Sequence, residues 1–196
     1  MTTLSPSLWL RDNPPAGPAL TGDIRCDVGV IGAGYTGLSA AIALAEAGAN
    51  VTVVESAYAG FGASGRNAGH LTPTIGKDLP SLLKAYGRER GSELVRLAEA
   101  AVELTESVLK DRGIDCDYVP HGNVIAGVHP AQEKKLRRAV DAARELGAAV
   151  RMLDRREIDS RGLPAFVSCA AIEERGGVLD PGKYVRGLRE AAIASG

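Results

Sequence analysis

Three glycines at fixed spacing form the strongest chemical signal in the chain. They lie in Gly32-Ala-Gly34-Tyr-Thr-Gly37, between an apolar strand pattern and a helix pattern. The first glycine permits a tight turn, the second lets the backbone approach a pyrophosphate, and the third lets the helix pack closely on the strand. The helix N-terminus then offers free N–H groups and a positive dipole end to the phosphates. The segment predicts a dinucleotide-binding site, with Tyr35 and Thr36 between its glycines.

A carboxylate follows where the ribose of a dinucleotide would need one. Glu55 ends the next apolar strand pattern, Val51-Thr-Val-Val-Glu55. Its two oxygens can accept hydrogen bonds from both hydroxyls of an adenosine ribose, and its charge would repel a 2′-phosphate. Glu55 therefore favours FAD or NAD over NADP as the ligand.

A second glycine-rich segment, GFGASGRNAGH at residues 60–70, comes soon after Glu55. Its glycines free backbone N–H groups, Arg66 supplies a fork-shaped cation, and Ser64 and Asn67 supply neutral donors. These groups suit a second contact with a diphosphate or a flavin, although a plain mobile loop is the alternative. Because a simple NAD dehydrogenase has no need of such a segment, the segment favours FAD over NAD as the ligand. The predicted contacts in this segment are Ala63, Ser64, Arg66, Asn67, Gly69 and His70.

The elements that must position these residues follow from the apolar spacing. A short strand from Val28 to Ile31, a helix from Leu38 to Ala47 and the strand ending at Glu55 make a βαβ unit with parallel strands. Residues 79–111 read as two helices or one bent helix, with a break near Gly91. The later predicted elements are strands at 116–120 and 122–128, a helix at 131–146, a strand at 149–153, a short helix at 154–160, a strand around 168–174 and a final helix from Pro181 to Ser195.

These patterns predict the α/β fold class. We expect a Rossmann-like FAD/NAD(P)-binding domain with the beginning of an α+β substrate domain. The predicted divisions are an N-terminal arm at 1–23, an FAD-binding part at 24–114, a partial substrate or cap domain at 115–175, and a return to the FAD-binding domain at 176–196.

Composition excludes several classes of partner. With 24 acidic and 23 basic side chains, the chain has no basic excess for nucleic acid or for a membrane surface. The uncharged run 28–45 is divided by glycines into shorter elements, so no membrane span is expected. Three isolated cysteines without C-x-x-C spacing argue against a metal site and for a reducing compartment, and the N-terminus lacks a secretory pattern. We expect a cytoplasmic protein.

The stretches DVGVIGAGYTGLSAAIALAEAGANVTVVE and GFGASGRNAGH resemble the D-amino-acid-oxidase-like flavoprotein family, within it the γ-glutamylputrescine oxidase-like and glycine oxidase-like branch. The stretch Gly176-Gly-Val-Leu-Asp180-Pro-Gly also resembles this family. The resemblance implies FAD bound along the βαβ unit and oxidation of a C–N bond in a small amine or amino acid, by hydride transfer to flavin N5. It leaves the catalytic residues, the amine and the electron acceptor unidentified.

His70 lies where, in related amine oxidases, the chain turns towards the flavin ring and contributes polar or basic groups. The resemblance therefore implies a contact between this side chain and the flavin or the substrate, without a covalent link. A surface or hydrogen-bonded loop histidine is the equal alternative.

Members of this family are longer than the present chain, which resembles their N-terminal portion. We therefore expect that the chain alone is not a competent oxidase, and that its first strands expose an apolar edge that invites association. An NAD-linked dehydrogenase and a truncated, non-catalytic nucleotide-binding module are the alternative functions.

Overall fold

The computed structural model describes residues 7–10 and 16–196. The chain divides into two compact units. The first unit comprises the described residues up to Gly69, with Val108–Tyr118 and Leu179–Gly196. The second comprises His70–Ser107 and Val119–Val178. Helices and strands are mixed in the chain, as the sequence predicted.

The first unit contains the predicted βαβ element. Strand β1 is Val28–Ile31, helix α1 is Tyr35–Glu46 and strand β2 is Val51–Val54. The two strands are parallel, with Val28 opposite Val51 and Ile31 opposite Val54. In the described part of the chain β1 pairs with β2 alone, and Ile31 is 91% exposed. Association through this edge stays a prediction.

The last helix completes the core of the first unit. This helix, α5, spans Pro181–Ala194 and packs against α1. Asp180 caps it by accepting a hydrogen bond from Lys183 N at 2.9 Å, and Pro181 takes the first helical position, where its missing N–H costs nothing. The buried apolar side chains on these two helices include Leu38, Ile42, Val185 and Leu188.

The second unit is built around a three-stranded antiparallel sheet. Strand β4 is Asn123–Gly127, β5 is Val150–Leu153 and β6 is Cys169–Glu173, in the order β4-β6-β5. Two short strands, β3 at His70–Leu71 and β7 at Gly177–Val178, pair separately. The helices that accompany the sheet are α2 at Leu79–Asp111, which runs into the first unit, α3 at Glu133–Leu146 and α4 at Arg155–Ser160.

The predicted break near Gly91 is wrong, because α2 bends at Gly87. Gly87 has φ +70 and ψ 179, a backbone conformation that glycine adopts without steric cost. Gly91 instead serves packing, since a Cβ there would lie 2.7 Å from Leu146 Cδ2. Both glycines were visible in the sequence, but only packing decides which of them bends the helix.

The predicted strand at 116–120 is also wrong. In this segment only Val119 forms a bridge, to Val178. Asp117 has φ +51, which breaks the extended conformation, and Pro120 has no N–H to donate to a ladder. The other predicted elements of the second unit are present, with ends shifted by a few residues.

The predicted domain ranges differ from the two compact units. Residues 70–107, expected in the FAD-binding part, belong to the second unit. Residues 115–118, expected in the cap domain, belong to the first unit, and residues 176–178, expected in the FAD-binding domain, belong to the second. The reason is that Leu82 and Val95 of α2 pack with Leu146 of α3 in one core cluster, whereas the sequence divides the chain by order alone. The functions assigned to the predicted ranges stay predictions.

Among the described residues, no helix combines the length and the apolar character that crossing a membrane requires.

Candidate nucleotide-binding site

The turn between β1 and α1 requires glycine at two positions for different reasons. Gly32 leaves the strand with φ +100, a conformation that side chains with a Cβ rarely adopt. At Gly37 a Cβ would lie only 2.0 Å from Gly32 O and 3.2 Å from Val30 Cγ1. The helix therefore starts directly against the turn, as the spacing of the glycines predicted.

The N-terminus of α1 retains unused hydrogen-bond donors. Ser64 Oγ accepts a hydrogen bond from Tyr35 N at 3.0 Å, and Gly34, at the N-cap, has no side chain to supply another acceptor. Within residues 7–10 and 16–196, no acceptor engages the N–H groups of Gly34, Thr36 or Gly37. These donors, at the positive end of the helix dipole, form a site for an anion.

Glu55 is held at the carboxyl end of β2. Its Oε2 accepts a hydrogen bond from Ala33 N at 2.9 Å, and its Oε1 accepts one from Ala57 N and one from Ser56 Oγ, both at 3.1 Å. Partial desolvation raises the pKa of this carboxyl, but the hydrogen bonds outweigh it and hold the pKa below its ordinary value. An exposed and ionised carboxylate therefore lies next to the glycine turn.

Asn67 organises the second glycine-rich segment. Its Nδ2 donates to Ala63 O at 3.2 Å and to Ser64 O at 3.0 Å, around the 3-10 turn Ala63–Gly65, while its Oδ1 accepts from Gly69 N at 2.9 Å. Because these bonds use both ends of the amide, Asn67 shapes the loop that carries Ser64 to the start of α1.

Gly69 and Arg66 fix the edges of the same loop. Gly69 has φ +76, and a Cβ there would lie 2.2 Å from Leu179 O, so the loop can approach the backbone just before α5 only with glycine. Arg66 Nε donates to Phe61 O at 2.8 Å, and its guanidinium lies 5.3 Å from the centre of the Phe61 ring. A cation is thus held at the loop by its own neighbours.

Tyr35 connects the start of α1 to the start of α5. Its hydroxyl donates to Pro181 O at 3.1 Å and accepts from Asn67 Nδ2 at 3.4 Å, and its ring centre lies 4.9 Å from that of Tyr184. Burial is the main cause that raises the pKa of Tyr35 to about 12. This contact between helices was not foreseen, since nothing in a single sequence pairs Tyr35 with residues of the final helix.

Tyr35→Phe is expected to lower the free energy of unfolding by about 1 kcal/mol, because Pro181 O loses its donor while the ring contact remains. Because the pKa of Tyr35 is raised, its contribution is present below the unfolded-state pKa of about 10 and is lost as pH rises through the folded value of about 12. Denaturant titrations should therefore show the difference between wild type and variant shrinking across that alkaline range. A difference that stays constant there would contradict this role.

The described part of the N-terminal arm lies over the loop. Ser7 Oγ donates to Gly65 O, Trp9 Nε1 donates to Asn67 O at 2.9 Å, and Leu10 is 1% exposed. Residues 1–6 and 11–15 of the predicted arm lie outside the described residues. The apolar pair Trp9 and Leu10 was the only sequence signal for this contact.

His70 belongs to the second unit, unlike the other predicted site residues. Its Nδ1 lies 3.1 Å from Asn123 Oδ1, and Asn123 Nδ2 donates to Leu71 O at 3.2 Å. The second bond fixes the orientation of the amide, so its oxygen faces the histidine and Nδ1 must carry the proton.

Comparison with known proteins gives both family and fold matches. A family model described as FAD dependent oxidoreductase matches residues 27–196. The chain is 44% identical over 107 residues to gamma-glutamylputrescine oxidoreductase of Escherichia coli (strain K12), covering 55% of this chain and 25% of that protein. It is 32% identical over 183 residues to Probable oxidoreductase OrdL of Rhizobium meliloti (strain 1021), covering 92% and 42%. The chain thus spans less than half the length of these curated relatives.

Solved structures share the architecture. Glycine oxidase from Geobacillus kaustophilus matches with a TM-score of 0.73 at 24% identity, covering 88% of this chain and 45% of that one. L-amino acid deaminase from Proteus vulgaris matches with a TM-score of 0.71 at 23% identity, covering 93% and 41%. At these identities the likeness shows the fold alone, and it confirms the predicted fold class.

Proposed function

Since the chain belongs to the FAD-dependent oxidoreductase family of the D-amino-acid-oxidase type, we propose that its first unit binds FAD and that the protein oxidises a C–N bond of an amine or amino acid. The resemblance drawn from the sequence is thereby confirmed at the level of the family. FAD, rather than NAD, is the cofactor of that family, and the choice between the two follows from this membership.

The observation that carries the binding proposal is the start of α1. Three backbone N–H groups there, on Gly34, Thr36 and Gly37, have no acceptor in the described structure. A pyrophosphate would supply acceptors for them and would meet the positive end of the helix dipole. Glu55, ionised and exposed at the end of β2, can accept hydrogen bonds from ribose hydroxyls. The residues present therefore fit the ADP part of FAD.

The second glycine-rich loop takes two roles in this proposal. Ser64 and Asn67 shape the start of α1 and the loop above it, and Arg66 supplies a positive charge beside them. Because His70 belongs to the second unit, its contact with the flavin or the substrate stays a prediction from the resemblance. The residues of the first unit that we propose to hold FAD are Gly32, Gly34, Tyr35, Thr36, Gly37, Glu55, Ala63, Ser64, Arg66, Asn67 and Gly69.

The reaction class follows from the family and from the relatives. FAD, when bound, supplies the two-electron acceptor, which takes a hydride at N5 in the mechanism that the resemblance implies. The substrate loses two electrons and two protons and becomes an imine, which water hydrolyses. The chain's own part is to hold the cofactor with the backbone N–H groups at the start of α1 and with the Glu55 carboxylate. A small amine is the proposed substrate class, as the name of the relative from Escherichia coli suggests.

The experiment is a titration of the purified chain with FAD, followed by an assay with excess FAD against a panel of amines and amino acids. Oxidised flavin absorbs at about 370 and 450 nm, so these bands in the protein after removal of free FAD report binding, and substrate oxidation gives peroxide or anaerobic bleaching. A chain that fails to take up FAD would contradict the binding proposal. Binding without turnover would favour a non-catalytic module, whereas turnover at about 1–10 s⁻¹ would show that this chain alone is competent, contrary to our expectation from the sequence.

Glu55→Ala should weaken FAD binding by about 1–3 kcal/mol, the usual cost of losing charge-assisted hydrogen bonds to the ribose. The change also removes the acceptor of Ala33 N, so the unfolding midpoint should fall slightly. Fluorescence titration of FAD measures the first effect and a thermal scan the second. Asp23→Ala, at an exposed carboxylate before β1, is the matched control and should change neither. Equal FAD affinity in wild type and Glu55→Ala would remove Glu55 from the site.

A further inference from the structure

The second unit contains a cavity that the nucleotide site does not use. Its volume is about 340 Å³, and its lining comes from the segment 72–78, the first part of α2, α3 and the sheet. The lining is mostly apolar, with Leu82, Leu94 and Val95 on α2 and Ile125 on β4. A cavity of this size lies at the lower end of the range for small-molecule sites, so a short ligand would fit it.

Two glutamates, Glu99 and Glu173, are among the charged and polar residues that line this mostly apolar cavity. Glu99 Oε1 accepts a long hydrogen bond from Ala149 N at 3.4 Å, and Glu173 Oε1 accepts one from Arg175 N at 3.2 Å. Over the described ranges, neither carboxylate forms an ion pair, and the second oxygen of each has no donor. Both groups are therefore left with unused acceptor capacity beside an apolar surface.

The local charge balance is negative. Burial is the main cause that raises the pKa of Glu173, the charges of Glu99 and Glu174 add to the rise, and the backbone hydrogen bond and positive charge of Arg175 oppose it. At the segment 72–78, Lys77 and Asp78 add one charge of each sign to the lining. A cation bound at these carboxylates would offset their mutual repulsion and compensate the cost of their partial burial.

We propose that this cavity binds a small organic cation with an apolar body, of the class of the primary alkylammonium ions. The ammonium group would lie at Glu99 and Glu173, and the alkyl chain would lie against Leu82, Leu94 and Ile125. Charge complementarity favours the ammonium head group of the ligand, and the apolar lining favours its alkyl chain. The inference concerns the second unit alone, so it stands or falls separately from FAD binding.

The test uses n-pentylamine, which is protonated at neutral pH, and n-pentanol, its uncharged counterpart. Amide NMR titrations of the full chain should show shifts around Glu99 and Glu173 with the amine, and about tenfold weaker binding of the alcohol, the effect of one charge-assisted contact. Glu173→Gln, which keeps the shape of the side chain, should weaken amine binding by a similar factor, about tenfold. Glu93→Gln, at an exposed position of α2, is the matched control and should leave binding unchanged.

A second variant keeps the proposal open to refutation if Glu173→Gln misfolds. Ala139→Leu, at a half-buried cavity position of α3, fills the space and should abolish amine binding while the protein stays folded by circular dichroism. Binding that survives Ala139→Leu would place the amine elsewhere. Equal affinity for amine and alcohol would overturn the proposal. So would the absence of binding of either compound by the folded wild type, and the cavity would then be a packing site for another segment of polypeptide.

Discussion

Gly34→Val is expected to abolish FAD binding while the first unit stays folded. The new side chain would be added at the N-cap of α1, next to the N–H groups where we place the pyrophosphate. Its Cβ would lie 2.9 Å from Ser64 Oγ, and a serine hydroxyl can rotate away. The loss of that cap costs about 1 kcal/mol, and the backbone at Gly34 is extended, so any residue can adopt it.

We expect the affinity for FAD to fall by more than about 100-fold, or about 2.7 kcal/mol, with a thermal midpoint close to that of wild type. Gly29→Val on β1 is the matched control, because the same substitution there meets nothing within 4 Å. It should retain both FAD and stability. Should the Gly34→Val protein copurify with flavin at the wild-type ratio, the assignment of this turn to the pyrophosphate is wrong.

Gly37→Val is expected to act on the fold itself. A Cβ at this position would lie 2.0 Å from Gly32 O, which belongs to the backbone and cannot rotate away. Relief requires α1 to move off the turn, and α1 also packs against α5. Overpacking of this kind costs about 3 kcal/mol or more, a large part of the stability of a small domain.

Denaturant unfolding followed by circular dichroism measures this loss, in the absence of FAD so that ligand binding does not contribute. Ala40→Val, on an exposed position of α1, is the matched control and should cost only a few tenths of a kcal/mol, about the difference in helix propensity. If Gly37→Val unfolds at the same denaturant concentration as this control, the close approach of α1 to the turn is contradicted.

Gly34 and Gly37 are glycines for two different reasons within one motif. Gly34 leaves space for a ligand, and its replacement disturbs only a rotatable hydroxyl in the protein. Gly37 leaves space for the protein's own backbone. The expected results therefore differ in kind: one variant loses the cofactor and keeps the fold, and the other loses the fold first.

The sequence by itself determined the βαβ unit and the family. The strand, turn, helix and second strand between Val28 and Glu55 lie within one short segment, so their apolar periods and glycine spacing are set by neighbouring residues. The position of Glu55 at the end of β2 follows from the same local pattern, and the sequence predicted it correctly. The hydrogen bond that Glu55 accepts from Ala33 is also local, since it spans one βαβ crossover.

Only the tertiary structure decided how the second glycine-rich loop is held and where α2 bends. Tyr35 reaches Pro181 across 146 positions of sequence, Trp9 reaches Asn67 across 58, and His70 meets Asn123 in the second unit across 53. α2 bends at Gly87, whereas Gly91 lies against Leu146. Such contacts depend on which surfaces meet after the elements have formed, and single-sequence periodicity describes each element without its neighbours.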